Sequence, residues 1–173
     1  MKIIIFSDSH GDVDTMCGVV EKENPDMIIH LGDSIIDANQ LNDKFPGVKM
    51  IKVLGGIDSQ KENENWIQYV DIYGKRLMLT HGHTFIDDEK TKTNFEGITN
   101  MFLSDRNNAD IILFGHTHEP FILCSDGKWI MNPGCICQVP SCIPGHKVID
   151  ATYGILTINK IGVLQWQFVE MGN

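Results

Sequence analysis

Short apolar runs of strand length, each stopped by Gly, Asp, Asn or His, recur along this chain. Residues 3–6 lead into Ser7, Asp8, Ser9 and His10, and residues 27–31 lead into Gly32 and Asp33. Residues 50–54 run into Gly55, Gly56, Ile57 and Asp58, and residues 77–80 into His81, Gly82 and His83. Residues 111–114 end at Gly115, His116, Thr117 and His118, and residues 129–131 at Asn132, Pro133 and Gly134. Near-continuous apolar runs of this length predict strands buried on both faces. Segments of helix length and mixed polarity lie between them at about 13–23, 35–44 and 89–107. The C-terminal third reads instead as short strands, at 121–124, 128–131, 153–158 and 163–168. Alternating strand and helix predicts β-α-β units at the start. Two packed sheets with helices outside suit the whole order. In open α/β sheets, ligands sit beyond the carboxyl ends of the strands. Five runs deliver Asp or His there, so those side chains are expected to converge.

Length and composition narrow the picture. The chain has 173 residues, enough for one domain and cramped for two, and no repeat or linker divides it, so residues 1–173 read as a single domain. No apolar run approaches the ~18 residues of a membrane-spanning helix, and the N-terminus lacks the pattern of a signal peptide. An odd count of five cysteines without an export signal points to reduced thiols and a cytoplasmic location. Fourteen basic against 23 acidic residues, a formal charge of -9, argue against stable binding to duplex nucleic acid. A small phosphate-bearing substrate stays allowed if something local supplies positive charge. The sequence leaves a homo-oligomer open.

Seven histidines and the strand-end aspartates suggest what that is. Asp8, His10, Asp33, His81, His83, His116 and His118 offer carboxylate oxygen and imidazole nitrogen with no thiolate, a donor set that suits Mn, Fe or Zn. They exceed what one tetrahedral ion uses. A carboxylate bridge would let them hold two ions about 3.5–4 Å apart, which lowers the pKa of a shared water and clamps an in-line displacement at phosphorus. Two divalent ions less two aspartates and a hydroxide leave about +1, which a phosphodiester neutralises.

Asp8-x-His10, Gly32-Asp33, His81-Gly82-His83 and Gly115-His116-Thr117-His118 resemble, in order and spacing, the motifs of the calcineurin-like metallophosphoesterases, and in length the small prokaryotic phosphodiesterases of that family. The resemblance runs from Met1 to about Pro144. It implies an α/β fold, a four-layer α-β-β-α sandwich of two mixed sheets flanked by helices. It implies that Asp8, His10 and His118 hold one metal, that His81 and His116 hold a second, and that Asp33 bridges them. Manganese is the usual metal in small bacterial members, with Ni, Fe or Zn as substitutes. The activity implied is hydrolysis of a small phosphodiester by in-line attack of a metal-bridging hydroxide.

One segment departs from the family pattern. Gly55-Gly56-Ile57-Asp58 stands where relatives carry Gly-Asn-His-Asp/Glu or Gly-Asn-Cys-Asp. Gly56 has no side chain to ligate a metal and offers substrate only its backbone, and Ile57 cannot donate a proton. The second metal site is therefore expected to be one ligand short. Asp58 and His83 are read as groups near substrate that support catalysis. The alternative is a non-enzymatic interaction scaffold, as in a retromer subunit of the same fold, with Gly56-Ile57 as the mark of a weakened site. Retention of six ligands argues against it, since buried carboxylates without metal repel each other.

The remaining features have plain readings. His30 inside an apolar run reads as a hydrogen-bonded core histidine. His146 and the run at 61–65 read as solvated loop. Cys135, Cys137 and Cys142 read as small hydrophobes, and Trp129 and Trp166 as packing residues. Substrate specificity is expected from the loops at 87–94 and 141–149.

Overall fold

The computed structural model describes residues 1–58, 66–85, 108–125, 127–138 and 150–172. The helix expected at 89–107, the loops at 87–94 and 141–149, the run at 61–65, Cys142 and His146 all lie outside the described residues. Among those described, the order is β1 (Lys2–Phe6), α1 (Val13–Glu23), β2 (Met27–His30), α2 (Ile35–Lys44), β3 (Lys49–Lys52), β4 (Ile67–Ile72) and β5 (Lys75–Thr80). It continues with β6 (Ile111–Leu113), β7 (Pro120–Ser125), β8 (Lys128–Pro133), β9 (Thr152–Ile158) and β10 (Leu164–Glu170).

The strands form two five-stranded mixed sheets, ordered β10-β9-β1-β2-β3 and β4-β5-β6-β8-β7. In the first, β1, β2 and β3 run parallel, and β9 and β10 join antiparallel. In the second, β5, β6 and β8 run parallel, with β4 and β7 antiparallel at the edges.

The continuity of the apolar runs follows from burial on both faces. In β1, Ile3 and Ile5 point into the core between the sheets, where they meet Leu77, Leu79, Ile111 and Leu113. Their neighbours Ile4 and Phe6 point outward against the helices. Residues Val13, Met16, Val19 and Val20 of α1 and Leu41 of α2 recur at helical spacing and cover that face. Asp12 caps α1 by accepting from Thr15 N at 3.1 Å, and Asn24 ends it in the left-handed conformation. On the far face of the second sheet, Met78, Ile112, Phe114 and Ile130 form a third buried cluster. The described residues thus give helices, sheet and sheet in succession, in keeping with the α/β sandwich expected; the segment at 89–107, expected to be the outer helix, lies outside them. None of their helices is long and apolar enough to cross a membrane.

One strand escapes the sequence reading. Ile67–Ile72 has half-exposed residues and alternating polarity, so it shows no apolar run. Its signal is the turn that follows: Tyr73 and Gly74 both have positive φ, 47° and 78°. Such a two-residue turn suits the twist of a hairpin, and it pairs β4 with β5 from Ile72↔Lys75 to Ile67↔Thr80.

Candidate metal centre

Sheet register brings the strand ends together. Because Phe6 pairs with His30, the loops after β1 and β2 leave side by side and are tied by Asp8 N to Gly32 O (3.0 Å) and Ser9 N to Asp33 O (2.8 Å). In the other sheet, Gly115 N donates to His81 O at 3.0 Å. His81 then crosses between sheets, its Nδ1 donating to Leu31 O at 2.9 Å.

Local backbone turns the side chains inward. Eight non-glycine residues described have positive φ, and five of them are Asp8, His10, Asp33, His116 and His118. Each such conformation costs about 1 kcal/mol or more, and residues held this way gather at functional sites. Close approach adds a second constraint. A Cβ on Gly55 would fall inside the Asp33 carboxylate, and one on Gly115 would overlap Ser7 Oγ and lie 3.0 Å from Asp8 Oδ2. Asn132, fully buried, clamps the Gly115–His118 turn by donating to Gly115 O (2.8 Å) and Thr117 Oγ1 (3.0 Å).

The result is two overlapping groups of ligand atoms, Asp8 with His10 and His118, and Asp8 with Asp33 and His81. Asp8 Oδ1 lies 3.1 Å from His118 Nε2, which lies 3.4 Å from His10 Nε2. His81 Nε2 lies 3.2 Å from Asp33 Oδ2 and 3.9 Å from Asp8 Oδ1. The carboxylate common to both groups is Asp8. His116 stands beside them, its ring 5.2 Å from that of His81 and its backbone N donating to Asp8 Oδ2 at 3.1 Å.

Electrostatics describe a hole for a cation. Burial alone would push the Asp8 carboxyl up, but facing His81 and His118 hold it well below the usual carboxylate range. Asp33 is likewise lowered against its burial, chiefly by His81. Burial would lower His81, yet the two carboxylates raise it. With Nδ1–H committed to Leu31, the Nε2 lone pair of neutral His81 points at carboxylate oxygens. Asp8 Oδ1 and His81 Nε2 are buried and make no hydrogen bond of good geometry. Something positive belongs between them, a proton or a metal ion. The nitrogen and oxygen donors fit a divalent metal, and ligand atoms 3.1–3.4 Å apart are spaced as neighbours on one ion with bonds of about 2.1 Å.

The other expected residues lie at the edge. His83 packs its ring between Trp66, at 4.8 Å, and His81, at 5.4 Å, and burial followed by the neighbouring imidazoles lowers it. Gly56 is exposed; a Cβ there would meet only the His83 ring, at 3.6–3.7 Å. Ile57 is 64% exposed, and its N donates to Asp33 Oδ1 at 3.2 Å. Asp58 does not face the cluster with a spare oxygen. Its Oδ1 accepts from Ile35 N and its Oδ2 from Gly55 N, both at 2.7 Å, so this carboxylate holds the turn and the start of α2. Sequence reading missed Trp66, which leads into the unrecognised β4, and the clamp by Asn132, whose only signal was its place in Asn132-Pro133-Gly134.

Comparison with known proteins agrees with this architecture. Residues 1–160 match the model of the calcineurin-like phosphoesterase superfamily domain. The chain is 27% identical to YsnB of Bacillus subtilis, a probable metallophosphoesterase, over 100% of this chain and 94% of that one. It is 25% identical to a phosphodiesterase of Methanocaldococcus jannaschii, covering 87% of this chain and 93% of the relative. In three dimensions it resembles Vps29 of Entamoeba histolytica, solved with zinc, at a TM-score of 0.72 and 18% identity, over 98% and 99% of the two chains. With the family model spanning nearly the whole sequence, the chain belongs to the calcineurin-like phosphoesterase superfamily.

Proposed function

We propose that this protein is a phosphodiesterase whose single domain carries a two-metal centre at the strand ends. The observation that carries the reading is the meeting of buried Asp8, Asp33, His81 and His118 with half-buried His10, and with two orphaned ligand atoms. Asp8, His10 and His118 would hold one ion and His81 and His116 the other, with Asp33 as the carboxylate shared between them. When bound, a pair of divalent ions, Mn foremost, supplies an acidified water and neutralises charge developing at phosphorus. The chain's own part is to fix geometry. His81, anchored on Leu31 O, keeps its Nε2 toward the centre, and the positive-φ turns point the ligands inward. Gly56 brings no side chain to the rim, where a diester would approach the centre beside the His83 ring. His83, kept neutral, serves as a positioning group for substrate.

The second reading is a non-enzymatic interaction scaffold, favoured by one observation: the side chains at Gly56 and Ile57 bring no ligand or proton donor to the rim. Metal content of the purified protein, with hydrolysis of an aryl phosphodiester and its monoester, separates the two. Bound Mn with faster diester turnover supports the phosphodiesterase. A protein that binds metal weakly and hydrolyses neither ester leaves the scaffold.

A further inference from the structure

Beneath the candidate ligands lies a buried polar chain that no step above uses. Ser9, His30 and Asp37 are all buried, on the loop after β1, at the end of β2 and in the first turn of α2. Gly32 N–H donates to His30 Nδ1 at 3.3 Å, and a backbone N–H can only donate. His30 Nε2 therefore carries the ring proton and gives it to Ser9 Oγ, 3.1 Å away. The serine proton is then directed to Asp37 Oδ2 at 2.8 Å, which also accepts Gly11 N–H at 2.7 Å. Every polar hydrogen in this chain has one acceptor, so its direction is fixed.

We infer that Asp37 is a positioning residue for the metal centre, holding the turn that presents Asp8 and His10 through Ser9 Oγ and Gly11 N, with His30 closing the same chain. Ser9 lies between two residues of positive φ, Asp8 at 57° and His10 at 43°. A chain segment relaxes from such a conformation unless its neighbours forbid it. The bonds on either side of His10, at Ser9 Oγ and Gly11 N, end on one carboxylate oxygen, so the ligand cannot swing without breaking one. Ser9 N also donates to Asp33 O, which couples the second carboxylate to the same support. Partners behind metal ligands commonly govern affinity by 10–100-fold.

This inference rests on the metal reading above, and Mn titration by calorimetry on the full chain tests the two separately. Asp37→Ala and Ser9→Ala are expected to weaken Mn binding about 10–100-fold while near-UV circular dichroism stays native. Asp37→Asn, which keeps an oxygen acceptor, is expected to lose less than about tenfold. Mn affinity in Asp37→Ala equal to wild type overturns the inference. So does an Asp37→Asn as damaged as the alanine, or loss of native dichroism together with Mn in both alanine variants. Wild-type protein that takes up no divalent ion is a different result: it overturns the metal reading, and this inference with it.

Discussion

Two adjacent glycines in the loop after β3 do opposite things. Gly55 is compulsory, because any Cβ would collide with the Asp33 carboxylate and backbone. Gly56 is permissive: it is exposed, has no positive φ that would strain a side chain, and faces His83 at ordinary van der Waals distance. Gly55→Ala is therefore expected to displace Asp33 and lose Mn binding, whereas Gly56→Asn folds normally. On the two-metal reading the rim is one ligand short and the asparagine returns an amide oxygen to it, so calorimetry should find the weaker ion bound more tightly and the stronger one little changed. Two equally tight ions in the wild type would show that no ligand is missing. Asp33 is where the proposed arrangement of two ions can be tested. If it spans both ions, Asp33→Ala reduces metal stoichiometry to near zero. One retained tight ion would instead make Asp8, which touches both ligand groups, the shared carboxylate.

At the scale of elements, α2 shows a helix start held from a distance. Its N-cap Ser34 makes no side-chain cap bond, and the amide of Ile35 is satisfied by Asp58, 23 residues on. The same carboxylate takes Gly55 N, so α2 and the Gly55–Asp58 turn stand or fall together. Asp58→Ala leaves two amides without their acceptor and is expected to cost about 1–3 kcal/mol in chemical denaturation. An unchanged midpoint would mean that water replaces the carboxylate freely. Sequence spacing put Asp58 beside the chemistry but did not say which way its oxygens face, since that depends on contacts across 23 residues. The strand ends were legible for the opposite reason. Burial on both faces leaves an apolar run that stops where the sheet stops, so Asp8, Asp33, His81 and Gly115 announce their positions. β4 sits at a sheet edge with half-exposed residues and writes no such run. The Ser9, His30 and Asp37 chain joins three elements through side chains alone, which periodicity does not record.

The whole molecule carries the burial of His30 as an acid sensitivity. Burial pushes this imidazole down to about 4 from its ordinary 6.5, so the folded protein keeps it neutral where the unfolded chain protonates. The unfolded state binds the extra proton, and stability falls as pH drops below 6.5, levelling near 4. That gap, at roughly 1.4 kcal/mol per pH unit, is on the order of 3 kcal/mol. His10 and His83, both lowered with burial as the leading cause, act in the same direction. His81 acts oppositely: its raised value adds stability that is complete below 6.5 and is lost as pH rises through the folded value, so it does not offset the loss. Asp8 and Asp33, both lowered, contribute stability that persists until pH falls toward and below 3.8. The window between 6.5 and 4 therefore belongs to His30, with His10 and His83 adding in the same direction. Denaturation in chelator at pH 7, 6, 5 and 4 should show stability dropping across it, and His30→Gln, which keeps an N–H for Ser9, should flatten the drop. Added Mn should raise stability most at pH 7, by about 2.7 kcal/mol at one hundred times its Kd, and progressively less as protons compete for the imidazoles. A His30→Gln profile parallel to the wild type would assign the acid loss to His10 and His83, the partly exposed pair, and leave the buried chain behind the metal centre indifferent to pH.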